Sequence, residues 1–253
     1  MELHRTNIEE KVESWLKESG IEYSFQYPTY TGFVIDFAII EKKIAIEVDG
    51  TKWHSSKKAL KKQRFRDYQL RREGWAVIHI PEVEIKGIRP LLMHSAETMT
   101  NGKELAKKDR GTRVEAESYL YKDGKDIICC PSIVLLSALK NSAVNFLVGG
   151  KGKKTYKNYI YSGVAIEQEN IELISNGWET DKKTVVVGRA RIIRARPRFD
   201  EWSLKFTIEI LTDIITPAIL KTMLQHTGKY SGIMDFRPLY GLFEVVSFKE
   251  IKE

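Results

Sequence analysis

Residues 33–50 read FVIDFAIIEKKIAIEVDG and decide the fold of the first part of the chain. Two apolar runs flank the charged tripeptide EKK, a pattern that predicts two antiparallel strands joined by a tight turn. Glu47 and Asp49 lie two positions apart in the second run, so their side chains share one face of the predicted strand. Asp36 lies within the first run, and the turn can bring its carboxylate onto the same face.

The flanking segments complete an α/β unit around this hairpin. Upstream, residues 7–19 have one apolar face, and Asn7 can cap this helix with Glu10 as its capping-box partner. In EYSFQYPTY, apolar and polar residues alternate, which predicts a strand. Downstream, residues 57–73 predict a second helix, and WAVIHI predicts a strand beside the hairpin. We assign this unit to residues 1–82 as the first domain, because helix, hairpin, helix and strand form an α/β layer structure.

Residues 83–253 predict a second domain of the α+β class. VEIKGIRPLLM opens it as a strand, PSIVLLSALKNSAVNFL predicts a helix, and KTVVVGRARIIRA and WSLKFTIEIL predict two more strands. Thr216 and Pro217 begin a second helix, and LFEVVSF is the last strand. The order β, α, β, β, α, β is that of the ferredoxin-like split βαβ. Residues 95–125 and the flexible, basic GGKGKKTYKN are predicted to be loops.

Composition limits the classes of function. The chain has 253 residues and a formal net charge of +7, which favours a polyanionic partner. No apolar run approaches the roughly 20 residues that span a bilayer, and MELHRTNIEE lacks the apolar core of a signal peptide, so no membrane is expected. Cys129 and Cys130 are adjacent and form neither a disulfide framework nor a zinc-ligand spacing. We expect both to be buried, and the protein to be cytoplasmic, in a bacterial or phage-infected cell.

The carboxylates of the hairpin suggest a specific chemistry. Asp36, Glu47 and Asp49 would repel one another if crowded, and the pattern shows no obvious basic partner for them. A divalent cation removes this conflict, because Mg²⁺ takes oxygen ligands. It can also activate a water molecule and neutralise charge on a phosphate. The alternative is that Asp36 caps a local turn and that VDG is a plain hairpin end.

Further residues extend this pattern and carry a family resemblance. GIEYSFQYPTYTGFVIDFAIIEKKIAIEVDGTKWH, followed by RFRDYQLRREGWAVIHI, resembles the very-short-patch-repair-endonuclease-like branch of the PD-(D/E)XK nucleases over residues 7–82. The resemblance implies a restriction-endonuclease-like α/β fold and hydrolysis of phosphodiester bonds with Mg²⁺ or Mn²⁺. It implies that Asp36 and Glu47 are metal ligands, and the face that Asp49 shares with Glu47 makes Asp49 the third predicted ligand.

The resemblance also implies roles for neighbouring residues. Asp49 occupies the position where the wider superfamily has lysine, so the identity of the general base stays open. His54 follows the DG dipeptide and could act as base or as leaving-group acid, or it simply packs beside Trp53. The family pattern includes an acidic residue on the first helix. Glu9 fits this position best, and Glu10 is the alternative. The predicted catalytic residues are therefore Glu9, Asp36, Glu47, Asp49 and His54.

Basic segments lie beside this candidate site and in the second half. The helix over residues 57–72 is expected to grip phosphates near the cleavage point, with Arg66 and Asp67 tying it to the sheet. The arginines of GRARIIRARPR suit contact with a sugar-phosphate backbone, and the glycines of GGKGKKTYKN permit close approach to phosphates. The residues predicted to bind nucleic acid are Lys57, Lys58, Lys61, Lys62, Arg64, Lys151, Lys153, Lys154, Arg189, Arg191, Arg194, Arg196, Arg198 and Arg237.

The second half carries its own resemblance. CPSIVLLSALKNSA, RPRFDEWSLKFTIEI and GKYSGIMDFRPLYGLFEVVSF resemble phage-encoded proteins distantly similar to the RAMP superfamily of CRISPR effector backbones, over residues 83–253. This implies a RAMP- or RRM-like ferredoxin fold that binds single-stranded RNA or DNA. It also implies self-association along the strand or ribonucleoprotein partners. His94 is more typical of a structural histidine than of a second catalytic centre.

These patterns together favour a magnesium-dependent endonuclease. It would hydrolyse phosphodiester bonds in DNA or RNA, with a C-terminal domain that binds a single-stranded segment, as in a phage or CRISPR-like ribonucleoprotein. The alternative is a non-catalytic, nucleic-acid-binding subunit of a ribonucleoprotein filament.

Overall fold

A computed structural model describes residues 7–48, 57–95, 107–188 and 190–249 of the chain. The α-helices in these ranges are α1 (Asn7–Glu18), α2 (Lys57–Arg72), α3 (Arg113–Ser118), α4 (Ser132–Ser142), α5 (Lys157–Gly163) and α6 (Pro217–His226). The strands are β1 (Ser24–Pro28), β2 (Val34–Ile39), β3 (Ile44–Glu47), β4 (Ala76–His79), β5 (Glu82–Gly87), β6 (Leu91–Leu92), β7 (Cys129–Pro131), β8 (Val164–Ile166), β9 (Asn170–Ser175), β10 (Glu179–Val187), β11 (Ala190–Phe199), β12 (Trp202–Ile210) and β13 (Phe243–Lys249).

The hairpin forms as the sequence predicts. β2 and β3 are antiparallel, with Phe37 opposite Ile46. β4 lies parallel to β3, with Glu47 opposite His79, and β1 pairs antiparallel with the other edge of β2. The first unit is therefore a mixed sheet flanked by helices, which confirms its α/β class.

Two helices cover opposite faces of this sheet. Val12 of α1 packs in one hydrophobic cluster with Ile46, whereas Leu70 of α2 packs in a separate cluster with Ala45. Adjacent residues of β3 join different clusters because successive side chains of a strand point to opposite faces. Glu47, two positions after Ala45, therefore lies on the face that α2 covers.

The sheet continues across the predicted domain boundary after residue 82. β12 pairs with β4 through Ile210 and His79, and with β5 along its first half. The strands follow the order β1–β2–β3–β4–β12–β5–β13. The hydrophobic clusters separate at the boundary, since those of the first unit extend to Ile80 and that of the second half begins at Val83. One large mixed sheet thus joins separate cores, and the division into two domains stays a prediction.

Strands of the second half run in the order β13–β5–β12–β9, and each neighbouring pair is antiparallel. Along the chain, β5, the helices α4 and α5, β9, β12, α6 and β13 follow the order β, α, β, β, α, β. The second strand of this order is β9, so the prediction that KTVVVGRARIIRA occupies that place is wrong.

KTVVVGRARIIRA belongs to a hairpin outside the large sheet. β10 and β11 are antiparallel, with Lys183 opposite Arg194, and β6 extends them into a three-stranded sheet. Gly188 lies between the two strands and has a φ of +62°, which glycine adopts without a steric penalty. An isolated glycine in a strand pattern also fits a bulge, so the pattern did not reveal the turn.

Both predicted loops contain more structure than expected. Residues 95–125 include α3, whose Glu115 is fully buried. GGKGKKTYKN ends inside α5, and its first part is a turn closed by backbone hydrogen bonds. In this turn Val148 N donates to Lys154 O at 2.8 Å, and Lys151 N donates to Val148 O at 3.2 Å. The loop prediction is therefore wrong where α3 and α5 form, whereas the first part of GGKGKKTYKN is a loop that backbone hydrogen bonds close.

The second core contains the two cysteines. Cys130 belongs to the large hydrophobic cluster and Cys129 is also buried. Burial raises the pKa of the Cys130 thiol, so this side chain stays protonated and packs as a small apolar group. Their predicted burial is confirmed.

Replacing Gly87 by alanine tests the packing of the large sheet. A Cβ at this position would overlap the indole of Trp202, a buried ring whose Nε1 donates to Arg89 O at 2.9 Å. We expect Gly87→Ala to lower the free energy of unfolding by about 1–3 kcal/mol, as overpacking usually does. Urea unfolding measures the change, and Gly124→Ala is the control because nothing lies within 4 Å of a Cβ there. Equal unfolding midpoints for the two variants would contradict the packing.

Candidate functional site

Asp36 and Glu47 lie side by side at one end of the hairpin. They occupy the register position that follows the pair formed by Phe37 and Ile46. Asp36 Oδ2 accepts a hydrogen bond from Val48 N at 2.8 Å, which ties β2 to the end of β3. Glu47 is only 1% exposed, and Asp36 is partly buried. The register therefore places these two predicted carboxylates at adjacent positions of neighbouring strands.

A basic partner that the sequence pattern did not reveal faces these carboxylates. The guanidinium of Arg66 forms an ion pair with Glu47 Oε2, and its Nη2 donates to the carbonyl of Val34. The prediction that the carboxylates have no basic partner is wrong, because the fold of α2 onto the sheet brings this distant arginine to Glu47. The same contacts confirm that Arg66 ties α2 to the sheet.

Asp67 and His79 form a second polar pair beneath α2. His79 Nε2 lies 3.2 Å from Asp67 Oδ2, and both side chains are buried. His79 is opposite Glu47 in the parallel pairing, and Ile80 N donates to Glu47 O at 3.1 Å. Paired positions lie on the same face of a sheet, so His79 and Glu47 are neighbours under α2. The contact also confirms that Asp67 ties α2 to the sheet.

Burial separates the two candidate acids of α1. Glu9 is 4% exposed and lies one helical turn before Val12, which packs against the sheet on the face opposite α2. Glu10 is exposed to solvent. Glu9 is thus the buried one of the two acids, and because α1 covers the face opposite the one that carries Glu47, its role in the site stays a prediction.

Several predicted site residues lie outside the described residues. Asp49 and His54 fall in the interval between residues 48 and 57. Arg189 lies between β10 and β11 and is also outside them. The backbone of α2 carries five further cations whose side chains lie outside the described part, namely Lys57, Lys58, Lys61, Lys62 and Arg64. The roles of all these residues stay predictions.

The donor set at this end of the sheet fits a divalent cation. Asp36 and Glu47 supply carboxylate oxygens, the ligands that Mg²⁺ and Mn²⁺ prefer. Among the side chains that the structure describes, no group of three or more His, Cys, Asp or Glu residues could hold a metal ion. The third predicted ligand, Asp49, comes directly after the described segment that ends at Val48. Arg66 balances part of the charge of Glu47, which would be one of the residues that hold the cation.

The predicted phosphate-binding arginines of β11 are held by neighbouring carboxylates. Arg194 Nη1 lies 2.6 Å from Oε1 of the buried Glu115. Arg196 Nε lies 2.6 Å from Asp235 Oδ2, and Arg198 pairs with the aspartate two residues later at 2.7 Å. These ion pairs favour a structural role for the three arginines, since each guanidinium already has an anionic partner.

Other predicted cations of the second half are exposed to solvent. They are Lys151, Lys153, Lys154, Arg191 and Arg237. Lys151 Nζ lies 5.3 Å from the centre of the Tyr159 ring. These residues are accessible to a polyanion. The arginines of β11 that form ion pairs would have to exchange a carboxylate partner for a phosphate.

His94 is packed among groups of the second half. Its ring meets that of Tyr119 edge to face at 4.4 Å, and its Nδ1 lies 3.7 Å from Asp235 Oδ2. Burial and the nearby arginine Arg196 lower the pKa of His94, which favours the neutral imidazole. These contacts are typical of a structural histidine.

Comparison with known proteins bears on the first half of the chain. The family model REase_MTES_1575, a restriction-endonuclease-like domain, matches residues 8–85. This range contains the paired carboxylates, both flanking helices and the strand β4. No match to a curated protein was found. The predicted likeness of the first unit to a restriction-endonuclease-like domain is thus confirmed for residues 8–85, just under a third of the chain. No helix of the described ranges is long and apolar enough to cross a membrane.

Proposed function

We propose that the chain is a metal-dependent endonuclease that hydrolyses phosphodiester bonds of DNA, with RNA as the second candidate substrate. One observation carries this proposal. The antiparallel register of β2 and β3, continued one position beyond Phe37 and Ile46, places Asp36 opposite Glu47, within the range that matches a restriction-endonuclease-like domain. Two carboxylates at one end of a sheet supply the oxygen ligands of a hard divalent cation.

The residues around these carboxylates set their positions. Asp36, Glu47 and Asp49 would hold the cation, and Mg²⁺ or Mn²⁺, when bound, supplies an activated water and positive charge at the phosphate. The hydrogen bond from Val48 N orients Asp36, and the ion pair with Arg66 orients Glu47. Burial of Glu47 lowers the local dielectric constant, so its electrostatic interactions are stronger than in water.

Proton transfer is proposed for two further residues. His54, in the connection between β3 and α2, is the proposed base or leaving-group acid, because aspartate stands where the superfamily has lysine. Imidazole suits this task since its pKa lies near neutral pH. Glu9 is proposed as a further acid of the site, and its burial on the sheet side of α1 supports this.

The second half is proposed to hold the nucleic acid. The order β13–β5–β12–β9, with antiparallel neighbours, supports a ferredoxin-like domain of the RAMP or RRM type over residues 83–253. The exposed cations Lys151, Lys153 and Lys154 support contact with phosphates. Self-association along a strand, or assembly into a ribonucleoprotein, follows from the predicted resemblance.

A non-catalytic role is the second candidate, and one observation favours it. Arg66 already neutralises part of the charge of Glu47, so the carboxylate is stable without a cation. This alternative predicts salt-sensitive binding of nucleic acid and no cleavage with any divalent metal.

An Asp36→Asn variant tests the assignment of the site. We expect cleavage of supercoiled and single-stranded DNA by the wild type with Mg²⁺ or Mn²⁺, none with EDTA, and a loss of about a hundredfold in the variant, because one anionic ligand is removed. Gel electrophoresis of the products measures this, with RNA as a parallel substrate. Asp126→Asn is the matched control, since Asp126 is exposed and pairs with Lys122. Equal cleavage by wild type and Asp36→Asn would refute the site, and binding without cleavage by the wild type would favour the alternative.

A further inference from the structure

A cleft of about 440 Å³ lies between the first unit and two loops of the second half. α2 contributes Asp67 and Arg71, and β4 contributes His79. The loop that contains Lys151 and the loop that contains Asp213 close the opposite side. The volume falls within the range of pockets that bind small molecules.

Part of the lining of this cleft is apolar, and these side chains are called the apolar wall below. Val148, Ile215 and Pro217 belong to it and are buried, and the partly buried ring of Tyr156 also lines the cleft. Aromatic and aliphatic side chains of this kind favour a planar ring system, because nucleic-acid bases stack on aromatic rings and bury apolar area against them.

The charged groups of the cleft have both signs. Arg71 and Lys151 offer positive charge to an anion, and Asp213 offers a carboxylate to N–H donors. Asp67 is engaged by His79 at 3.2 Å, so this carboxylate already has a polar partner within the cleft. An anionic phosphate next to a ring that bears N–H donors complements all of these groups at once.

The cleft also adjoins the candidate site. His79, which lines the cleft, is opposite Glu47 in the pairing of β3 and β4. Lys151 is held near the cleft by the closed turn of residues 148–154. A nucleic-acid strand that is bound at the candidate site would therefore have neighbouring nucleotides close to the cleft.

We propose that this cleft binds one unpaired nucleotide of the nucleic-acid substrate, with its base against the apolar wall and its phosphate at Arg71 and Lys151. The proposal rests on the proposed function, since the nucleotide belongs to the strand held beside Glu47. Asp213 accepts hydrogen bonds from an exocyclic amino group, so the cleft prefers adenine, cytosine or guanine to thymine.

Binding of short, fluorescein-labelled single strands of adenine, cytosine or thymine tests the cleft. We measure fluorescence anisotropy with the full chain in EDTA, so that cleavage does not interfere. The wild type is expected to bind adenine or cytosine strands at least about threefold more tightly than thymine strands. Asp213→Ala is expected to remove this preference, whereas Glu41→Ala, in the exposed turn between β2 and β3, retains it.

An Arg71→Ala variant tests the phosphate contact, and Arg72→Ala is its matched control. Arg72 is exposed, and its Cζ lies 5.9 Å from the centre of the Tyr68 ring. We expect Arg71→Ala to weaken binding of all three strands about threefold to tenfold, and Arg72→Ala to change it less than about twofold. Thermal melting checks the fold, and Arg71→Gln replaces Arg71→Ala if that variant unfolds. Equal effects of the Arg71 and Arg72 variants, or an unchanged base preference in Asp213→Ala, would overturn the proposal.

The outcomes separate this proposal from the nuclease function. If the wild type cleaves DNA and the cleft variants bind all strands as the wild type does, the cleft is wrongly assigned and the function stands. If no metal supports cleavage but the base preference depends on Asp213, the cleft stands and the nuclease function is refuted.

Discussion

Glu47→Gln is expected to abolish cleavage, with a loss on the order of a thousandfold or more, while the protein still folds. The amide keeps the shape of the side chain and removes the charge that would hold a cation. It also removes the anionic partner of Arg66, whose side chain is 26% exposed and can turn toward water. We therefore expect the free energy of unfolding to fall by only about 1–2 kcal/mol. Cleavage assays and urea unfolding of the same preparation measure both effects.

Two control variants separate chemistry from structure. Glu84→Gln also removes a sheet glutamate that pairs with a cation, Lys205 at 3.5 Å, but its side chain is 33% exposed. It should cleave as the wild type does. Arg66→Gln breaks the ion pair from the other side and leaves Glu47 in place. If Arg66→Gln loses as much activity as Glu47→Gln at the same stability, Glu47 acts only through its contact with α2, and its assignment as a metal ligand is wrong.

Glu115→Gln is expected to destabilise the second half by about 3 kcal/mol. The carboxylate is fully buried and accepts from Gly111 N at 2.5 Å, Ala195 N at 3.0 Å and Arg194 Nη1 at 2.6 Å. A glutamine would turn an NH₂ group toward at least one of these donors and leave Arg194 without its anion. Thermal and urea unfolding measure the loss. Glu117→Gln, on the exposed face of α3, is the control and should unfold as the wild type does.

The contribution of Glu115 should also depend on pH. Burial alone would raise the pKa of Glu115, but the hydrogen bonds from Gly111, Arg194 and Ala195 outweigh it and lower the pKa below the ordinary 4.5. A depressed folded-state pKa means that the ionised group stabilises the fold above about pH 4.5, and that this stabilisation is lost as the pH falls further. The difference in unfolding free energy between wild type and Glu115→Gln should therefore be constant near neutral pH and shrink in acid. A difference that does not change with pH would contradict this role.

Local patterns explain which parts of the fold were predictable. The hairpin of β2 and β3 follows from period-two alternation around a charged turn, and Thr216 caps α6 as expected, accepting from Ile219 N at 3.4 Å. The hairpin of β10 and β11 was missed because a single glycine within an apolar run fits a bulge as well as a turn. β9 was missed as the second strand of the split βαβ, since long-range pairing and not local alternation decides strand order.

Some residues of the candidate site could likewise be predicted from the sequence, and others could not. Asp36 and Glu47 were identifiable because carboxylates inside apolar strands are unusual and share a register. His79 was not singled out, and its only signal was a polar residue at the buried end of the strand WAVIHI. The arginines of β11 were assigned to nucleic acid from their spacing alone, and the structure shows carboxylates beside three of them.

By itself, the sequence determined the order of elements in the first unit, the paired carboxylates and the basic character of α2, because each depends on residues that are neighbours along the chain. Three contacts arise from packing across the fold: Arg66 reaches Glu47, His79 pairs with Asp67, and β12 joins β4 to make one sheet. The same packing also places the loops of the second half against α2 to form the cleft. These contacts join residues far apart in sequence, and they depend on how the separate faces of helices and strands pack, which no local pattern records.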